Sequence, residues 1–219
     1  MIEGTVKAGA SGTSKRGVPN VCVSNGREVV RTDSDGEFKL PQRPVDGFVF
    51  VTVPSGYISD DQFYRRIDDG ETYAFDLRED EASARSAFSF VQITDIHMSV
   101  SGERSSAEGL RDDLNAVCAD VSGEADFIVA TGDLTNKGTK EEFDAFLNGI
   151  ADCFLPIRSC IGNHDDNDPI AHGDNYAKAL GPAYYSFDYG PVHFVAYDGV
   201  GHEWRSPDHQ EAWVRADPC

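Results

Sequence analysis

The chain has 219 residues, 40% hydrophobic and 11% aromatic, a globular composition long enough for two small domains or one sizeable one. Its formal charge of -19 disfavours a nucleic-acid backbone or an anionic membrane surface as partner. No apolar run approaches the roughly 18 residues that cross a bilayer, and Met1-Ile2-Glu3-Gly4 lacks the basic start of a signal peptide, so the chain as written reads as soluble and cytoplasmic.

Residues 2 to about 80 hold short β-rich runs separated by turn residues: Thr5-Val6, Val21-Cys22-Val23, Val29-Val30, Phe38-Lys39-Leu40, Phe48 to Val53 and Tyr73 to Leu77. Asn25-Gly26 predicts a hairpin and Asp33-Ser34-Asp35-Gly36 a second tight turn. Strands at this spacing predict a small antiparallel β-sandwich over 1–80. Asp33, Asp35 and Gly36 echo the start of a calcium loop, but no glutamate stands at the twelfth position, and a plain turn is expected. Residues 81–87 are charged and aperiodic at their start, which suits a linker.

From Phe88 onward the pattern changes. Three short apolar runs each end in polar residues: Phe90 to Thr94 leads to Asp95-Ile96-His97, Phe127 to Thr131 leads to Gly132-Asp133, and Leu155 to Ile161 leads to Gly162-Asn163-His164-Asp165. Between the runs lie two amphipathic stretches. Ser105-Ser106-Ala107-Glu108 has capping-box form before Leu110, Leu114, Val117 and Val121, with Cys118 beside that face as a core residue. Thr139-Lys140-Glu141-Glu142 is a second such box before Phe143, Phe146, Leu147 and Ile150. Alternating strands and helices predict a parallel sheet with right-handed crossovers, whose carboxyl edge gathers the three polar clusters.

Asp95, His97, Asp133 and Asn163 together offer two carboxylates, an imidazole and an amide oxygen, a donor set suited to Zn, Mn or Fe. Asp133, freed to turn sharply by Gly132, can bridge two cations. Two such ions about 3.5 to 4 Å apart activate water near neutral pH and offset phosphate charge. His164, beside a ligand, is expected to stabilise the transition state or to protonate the leaving oxygen. Asp165 is expected to orient that imidazole or to serve as a turn aspartate.

Asp95-Ile96-His97, Gly132-Asp133 and Gly162-Asn163-His164-Asp165, in this order, resemble the calcineurin-like metallophosphoesterase superfamily from Phe88 to the C-terminus. The resemblance implies an α/β/β/α four-layer domain over 88–219 that hydrolyses phosphomonoesters or phosphodiesters. It also implies Asp95 and His97 on one divalent ion, Asp133 bridging, Asn163 on the second, and His164 as the catalytic histidine. Gly4-Thr5-Val6, Gly17-Val18-Pro19-Asn20-Val21 and Thr32 to Phe38 resemble the transthyretin-like or carboxypeptidase-regulatory-like sandwich, which precedes the catalytic domain in some members. Purple acid phosphatases, a branch of the superfamily, carry a tyrosine iron ligand three residues after the bridging aspartate. Asn136 stands there in this chain, which disfavours their mixed-valence chemistry.

The superfamily's late Gly-His-x-His pair is matched only in half by Gly201-His202-Glu203-Trp204, so the chain reads as lacking a C-terminal third and the fragment as weakly active. The alternative reading is a non-catalytic binding protein that bears a β-sandwich. His172 is read as a solvated loop histidine, and His193, with apolar neighbours, as a satisfied core histidine. Tyr184 to Asp188 and Val192 to Asp198 predict a hairpin that, by the resemblance, continues the sheet. Pro207 to Ala216 predicts a final helix. Cysteines 22, 118, 153, 160 and 219 show no C-x-x-C spacing, and mostly reduced thiols are expected. None of Cys153, Cys160 and Ser186 sits in a nucleophile elbow or beside an evident base at a strand end, so a covalent hydrolase is a poor third reading.

Overall fold

Alternating burial writes the first sheet: Ile2, Gly4, Val6 and Ala8 of β1 (Ile2–Ala8) point inward while Glu3 and Lys7 point out. The computed structural model describes residues 1–9, 14–41, 47–59, 61–67, 72–101, 105–166, 173–200 and 208–217. His172, His202 and Cys219 lie outside them.

Eight further strands follow β1 in chain order: β2 (Arg16–Gly17), β3 (Cys22–Ser24), β4 (Val29–Arg31), β5 (Glu37–Leu40), β6 (Phe48–Val51), β7 (Tyr57–Ser59), β8 (Tyr64–Arg66) and β9 (Thr72–Glu79). They form two sheets, β2-β1-β9-β7 with β5 also on β1, and β4-β3-β6-β8. Every pair is antiparallel except β1 with β9, which run parallel, so the expected antiparallel sandwich is a mixed one. The shared core includes Val6, Val23, Leu40, Val49, Val51, Phe75 and Leu77. Strands β2, β7 and β8 have two or three residues each, too short to show a period in the sequence.

Both predicted turns form. The Asn25 side chain accepts from the Arg27 and Glu28 amides at 3.1 and 2.9 Å, and joins β3 to β4. Asp33 accepts from the Asp35 and Glu37 amides, both at 2.9 Å, with Gly36 at φ 76°. A side chain at position 36 would lie 2.2 Å from the Val6 carbonyl oxygen, so glycine is required there. The thiol expectation is corrected at Cys22, which is disulfide-bonded, whereas Cys118, Cys153 and Cys160 are free.

The second compact unit spans Phe88–Ala183 and Ala196–Ser206. It runs β10 (Phe90–Ile93), α1 (Ala107–Asp120), β11 (Phe127–Thr131), α2 (Lys140–Ile150), β12 (Ile157–Cys160) and α3 (Asp174–Leu180). The sheet order is β10-β11-β12 with both pairings parallel, as the alternating pattern predicts. Ile128 and Ala130 of β11 pack with Leu110, Leu114 and Cys118 of α1 and Phe143 and Phe146 of α2. Ser106 caps α1 by accepting from the Gly109 amide at 3.1 Å, and Thr139 caps α2 by accepting from Glu142 at 3.3 Å. Gly149 lets the two helices approach: a Cβ there would lie 2.9 Å from Leu110.

The last elements are β13 (Tyr185–Tyr189), β14 (Val192–Ala196) and α4 (Asp208–Ala216). The predicted hairpin forms, but as its own two-stranded sheet rather than as a continuation of β10-β11-β12. By contacts, Tyr184–Val195 and Pro207–Cys219 belong with Met1–Ala87 in the first unit. Trp213 of α4, fully buried, packs on Phe50 and Tyr184 with ring centroids 5.9 and 5.0 Å away, and Tyr184 Oη donates to the Gly26 carbonyl. Among the described residues, no helix is long and apolar enough to cross a membrane.

Candidate metal centre

The three polar clusters leave the carboxyl ends of three adjacent parallel strands, so their loops share one edge of the sheet. Backbone hydrogen bonds lace the loops together. The Asp95 amide donates to Gly132 O at 3.3 Å, His97 to Asp133 O at 2.8 Å, and Met98 to Leu134 O at 2.9 Å. Asp95, His97 and Asp133 all take left-handed backbone angles, with φ of 54°, 49° and 50°. Non-glycine residues rarely adopt that region, and its concentration at three expected metal ligands is the kind of strain that functional loops hold.

A cleft of about 310 Å³ opens at this edge, lined among others by Thr94, Asp95, Asp133, Gly162, Asn163 and Val200. Asp95, Asp133 and Asn163, separated by up to 68 positions (163 minus 95), therefore face one cavity. Its described lining includes no lysine or arginine. Gly162 brings the third loop against the second: a Cβ there would meet the Asp133 nitrogen at 2.1 Å and its Oδ1 at 2.3 Å.

His97 Nε2 lies 3.8 Å from Asp95 Oδ1 and 3.8 Å from Asp133 Oδ2. That exceeds a hydrogen bond. It fits two donors that each reach a shared cation at about 2.0 to 2.2 Å. The other ring nitrogen, Nδ1, is buried without a hydrogen-bond partner, so neither nitrogen of this imidazole is satisfied by the protein. Donor atoms of His97, Asp133 and His164 lie within 4.8 Å of one another. Two carboxylates and an amide that line the cavity, with two imidazoles whose donor atoms lie near Asp133, are a donor set that fits borderline divalent ions.

His164 meets His97 edge to face, with ring centroids 4.5 Å apart, and its amide donates to Asp133 Oδ1 at 3.0 Å. Its Nδ1 is 2.7 Å from the carbonyl oxygen of Asn136. A carbonyl only accepts, so Nδ1 carries the proton and Nε2 is the nitrogen left for chemistry.

The orienting partner of His164 is thus a backbone oxygen rather than the Asp165 carboxylate, which corrects one of the two expectations for Asp165. That carboxylate is fully buried. It accepts from the Leu134 amide at 3.2 Å, the Thr135 amide and hydroxyl both at 2.8 Å, and the Gly162 amide at 2.9 Å. Burial pushes the Asp165 carboxyl above the ordinary carboxylate range, and these donors pull against it. Asp165 therefore clamps the loop after β11 to the loop after β12.

Sequence reasoning missed three groups. Asn136 acts through its backbone, which no side-chain motif can signal. The Thr135 hydroxyl receives the Gly138 amide while it donates to Asp165. Thr94 Oγ1 donates to Asp95 Oδ2 at 2.7 Å, and here adjacency in sequence was a usable signal.

Comparisons with known proteins bear on the family. Residues 4–80 match the family described as the N terminal of Calcineurin-like phosphoesterase, and residues 88–217 match Calcineurin-like phosphoesterase itself. The chain is similar to a probable cyclic nucleotide phosphodiesterase of Xenorhabdus bovienii (strain SS-2004), 30% identical over 83 residues that make up 35% of this chain and 34% of that protein. It thus spans about a third of the curated relative that it matches. A purple acid phosphatase from yellow lupin (Lupinus luteus) seeds aligns over 90% of this chain and 42% of its own, with 14% identity and a TM-score of 0.44. A match across 130 of 219 residues (88 to 217), which takes in all three strand-end loops, shows that the chain belongs to the calcineurin-like phosphoesterase family.

Proposed function

We propose that this protein hydrolyses phosphate esters, monoesters or diesters, with water as nucleophile and a pair of divalent ions, Mn, Fe or Zn, as cofactors. The observation that carries the reading is the composition of the cleft: two carboxylates and an amide oxygen line it, no lysine or arginine does, and two imidazoles adjoin it. An anionic ester approaching Asp95 and Asp133 would be repelled unless cations intervene.

Asp95 and His97 are the residues proposed to hold the first ion, Asp133 to bridge, and Asn163 to serve the second. When bound, such ions supply Lewis acidity and lower the pKa of water. The chain's own contribution is position and protons. His164, with Nδ1 committed to the Asn136 carbonyl, is proposed to donate from Nε2 to the leaving oxygen or to the charge that develops on the phosphoryl group. Asp165 is proposed as a positioning residue: by tying Gly162 to Leu134 and Thr135 it sets the spacing between Asn163 and Asp133.

The test is metal content together with hydrolysis of an aryl phosphate and an aryl phosphodiester, on this chain and on any longer polypeptide that carries it. About two ions per catalytically complete protein are expected, and preference between the two esters identifies the substrate class. Turnover that survives exhaustive chelation would overturn the reading.

A further inference from the structure

Away from the cleft, the second unit holds a pair of thiols in contact. Cys118 is in the last turn of α1, and Cys153 lies three residues past the end of α2. Their sulfur atoms are 3.4 Å apart, and both are free. Cys118 is 1% exposed, whereas Cys153 is half-buried and its thiol donates to the Leu155 carbonyl at 3.6 Å. Two sulfurs this close need move only about 1.4 Å to reach bonding distance. Cys153 is the more exposed of the pair. Cys160, half-buried on β12, is an internal comparison.

We propose that Cys118 and Cys153 are a redox modification site, at which a low-molecular-weight disulfide installs a reversible cross-link. The Cys153 thiolate attacks the reagent RSSR, forms a Cys153–SR mixed disulfide and releases RSH after proton uptake. The Cys118 sulfur then attacks the Cys153 sulfur, the Cys118–Cys153 bond forms, and the second RSH leaves with the Cys118 proton. Two protein thiols are oxidised and one reagent disulfide is reduced to two thiols. Burial, and then the hydrogen bond to Cys153, push the Cys118 thiol upward, so the second step quickens toward alkaline pH. The cross-link closes the segment from 118 to 153, which contains β11 and the Gly132–Asp133 turn, and so restrains the loop that carries Asp133.

The experiment is exposure of the native protein to excess oxidised glutathione, followed by non-reducing tryptic mapping. Cuts after Arg111, Lys137, Lys140 and Arg158 place Cys118, Cys153 and Cys160 on three different peptides. The expected product joins the Cys118 and Cys153 peptides, lowers the mass of the protein by two hydrogens, is reversed by dithiothreitol, and melts several degrees higher. Cys118→Ser should stop at a glutathione adduct on Cys153. A wild-type product that retains glutathione on Cys153 without the cross-link, or one in which neither thiol reacts, overturns the proposal, and neither result depends on a variant folding.

Discussion

Two histidines of this chain each stand between two aspartates, and the spacing separates their chemistry. In the first unit, His193 Nδ1 is 2.7 Å from Asp188 Oδ1 and its Nε2 is 3.0 Å from Asp217 Oδ2. Both carboxylates accept, so the ring binds both only when each nitrogen carries a proton. In the second unit, His97 Nε2 faces Asp95 and Asp133 at 3.8 Å each, and no hydrogen bond closes either gap. Protons fill the gaps around His193, whereas the space beside His97 is the one proposed for a cation. The surroundings follow suit. Asp217, 1% exposed, continues through Thr52 to Ser186 in a closed network, while Asp95 opens onto the cleft with its side chain 65% exposed.

The strongest way to break this comparison is Asp133→Asn. If the gap beside His97 is a cation site, the variant loses bound metal by elemental analysis and its ester hydrolysis falls to background. Retention of both would make the two histidine clusters equivalent. His164→Ala is the next largest: a fall of roughly 10² in turnover with metal content retained, which separates proton donation from metal binding. Asp165→Asn sets an amide N–H₂ against amide donors, and should destabilise the second unit by about 3 kcal/mol in denaturant unfolding. It should also weaken metal affinity, while an Asp188→Asn control leaves that affinity unchanged.

The smallest effect is the pH dependence of the first unit. Burial pulls the His193 imidazole down, but its hydrogen bonds and charge contacts with Asp188 and Asp217 outweigh that pull and hold it above its ordinary value of 6.5. A raised folded-state value means that its stabilisation is fully present below about pH 6.5 and is lost as pH rises through the folded value. The stability difference between wild type and His193→Gln should therefore shrink as pH rises from 6 toward 9. A difference constant with pH would show that His193 acts by packing alone. The reading of His193 as a core histidine is corrected on the same ground: its side chain is 30% exposed, and two carboxylates rather than apolar neighbours account for it.

Much of the metal-site half was legible because its information is local. Each strand ends in its own polar cluster, so Asp95, Asp133 and Asn163 were legible from three short runs, and the alternation with capped helices required the parallel order that brings them to one cleft. The start of α2 followed from Thr139, whereas the box led by Ser105 placed the start of α1 one residue early, since Ser106 is the cap that accepts from the Gly109 amide. The short strands β2, β7 and β8 were not legible, since they carry neither a period nor the valine runs that marked the equally short β3 and β4.

The sequence by itself determined which chemical groups stand at the strand ends and that those strands run parallel, because period, caps and turn residues act over a few positions. Only the tertiary structure decided which acceptor each polar group meets. The Asn136 carbonyl, not Asp165, accepts the hydrogen bond from His164 Nδ1, and Asp217 reaches His193 across 24 positions. Cys153 comes to rest 3.4 Å from Cys118 across 35. Hydrogen bonds and sulfur contacts are satisfied over about 3 Å in space, a scale on which separation along the chain carries no information.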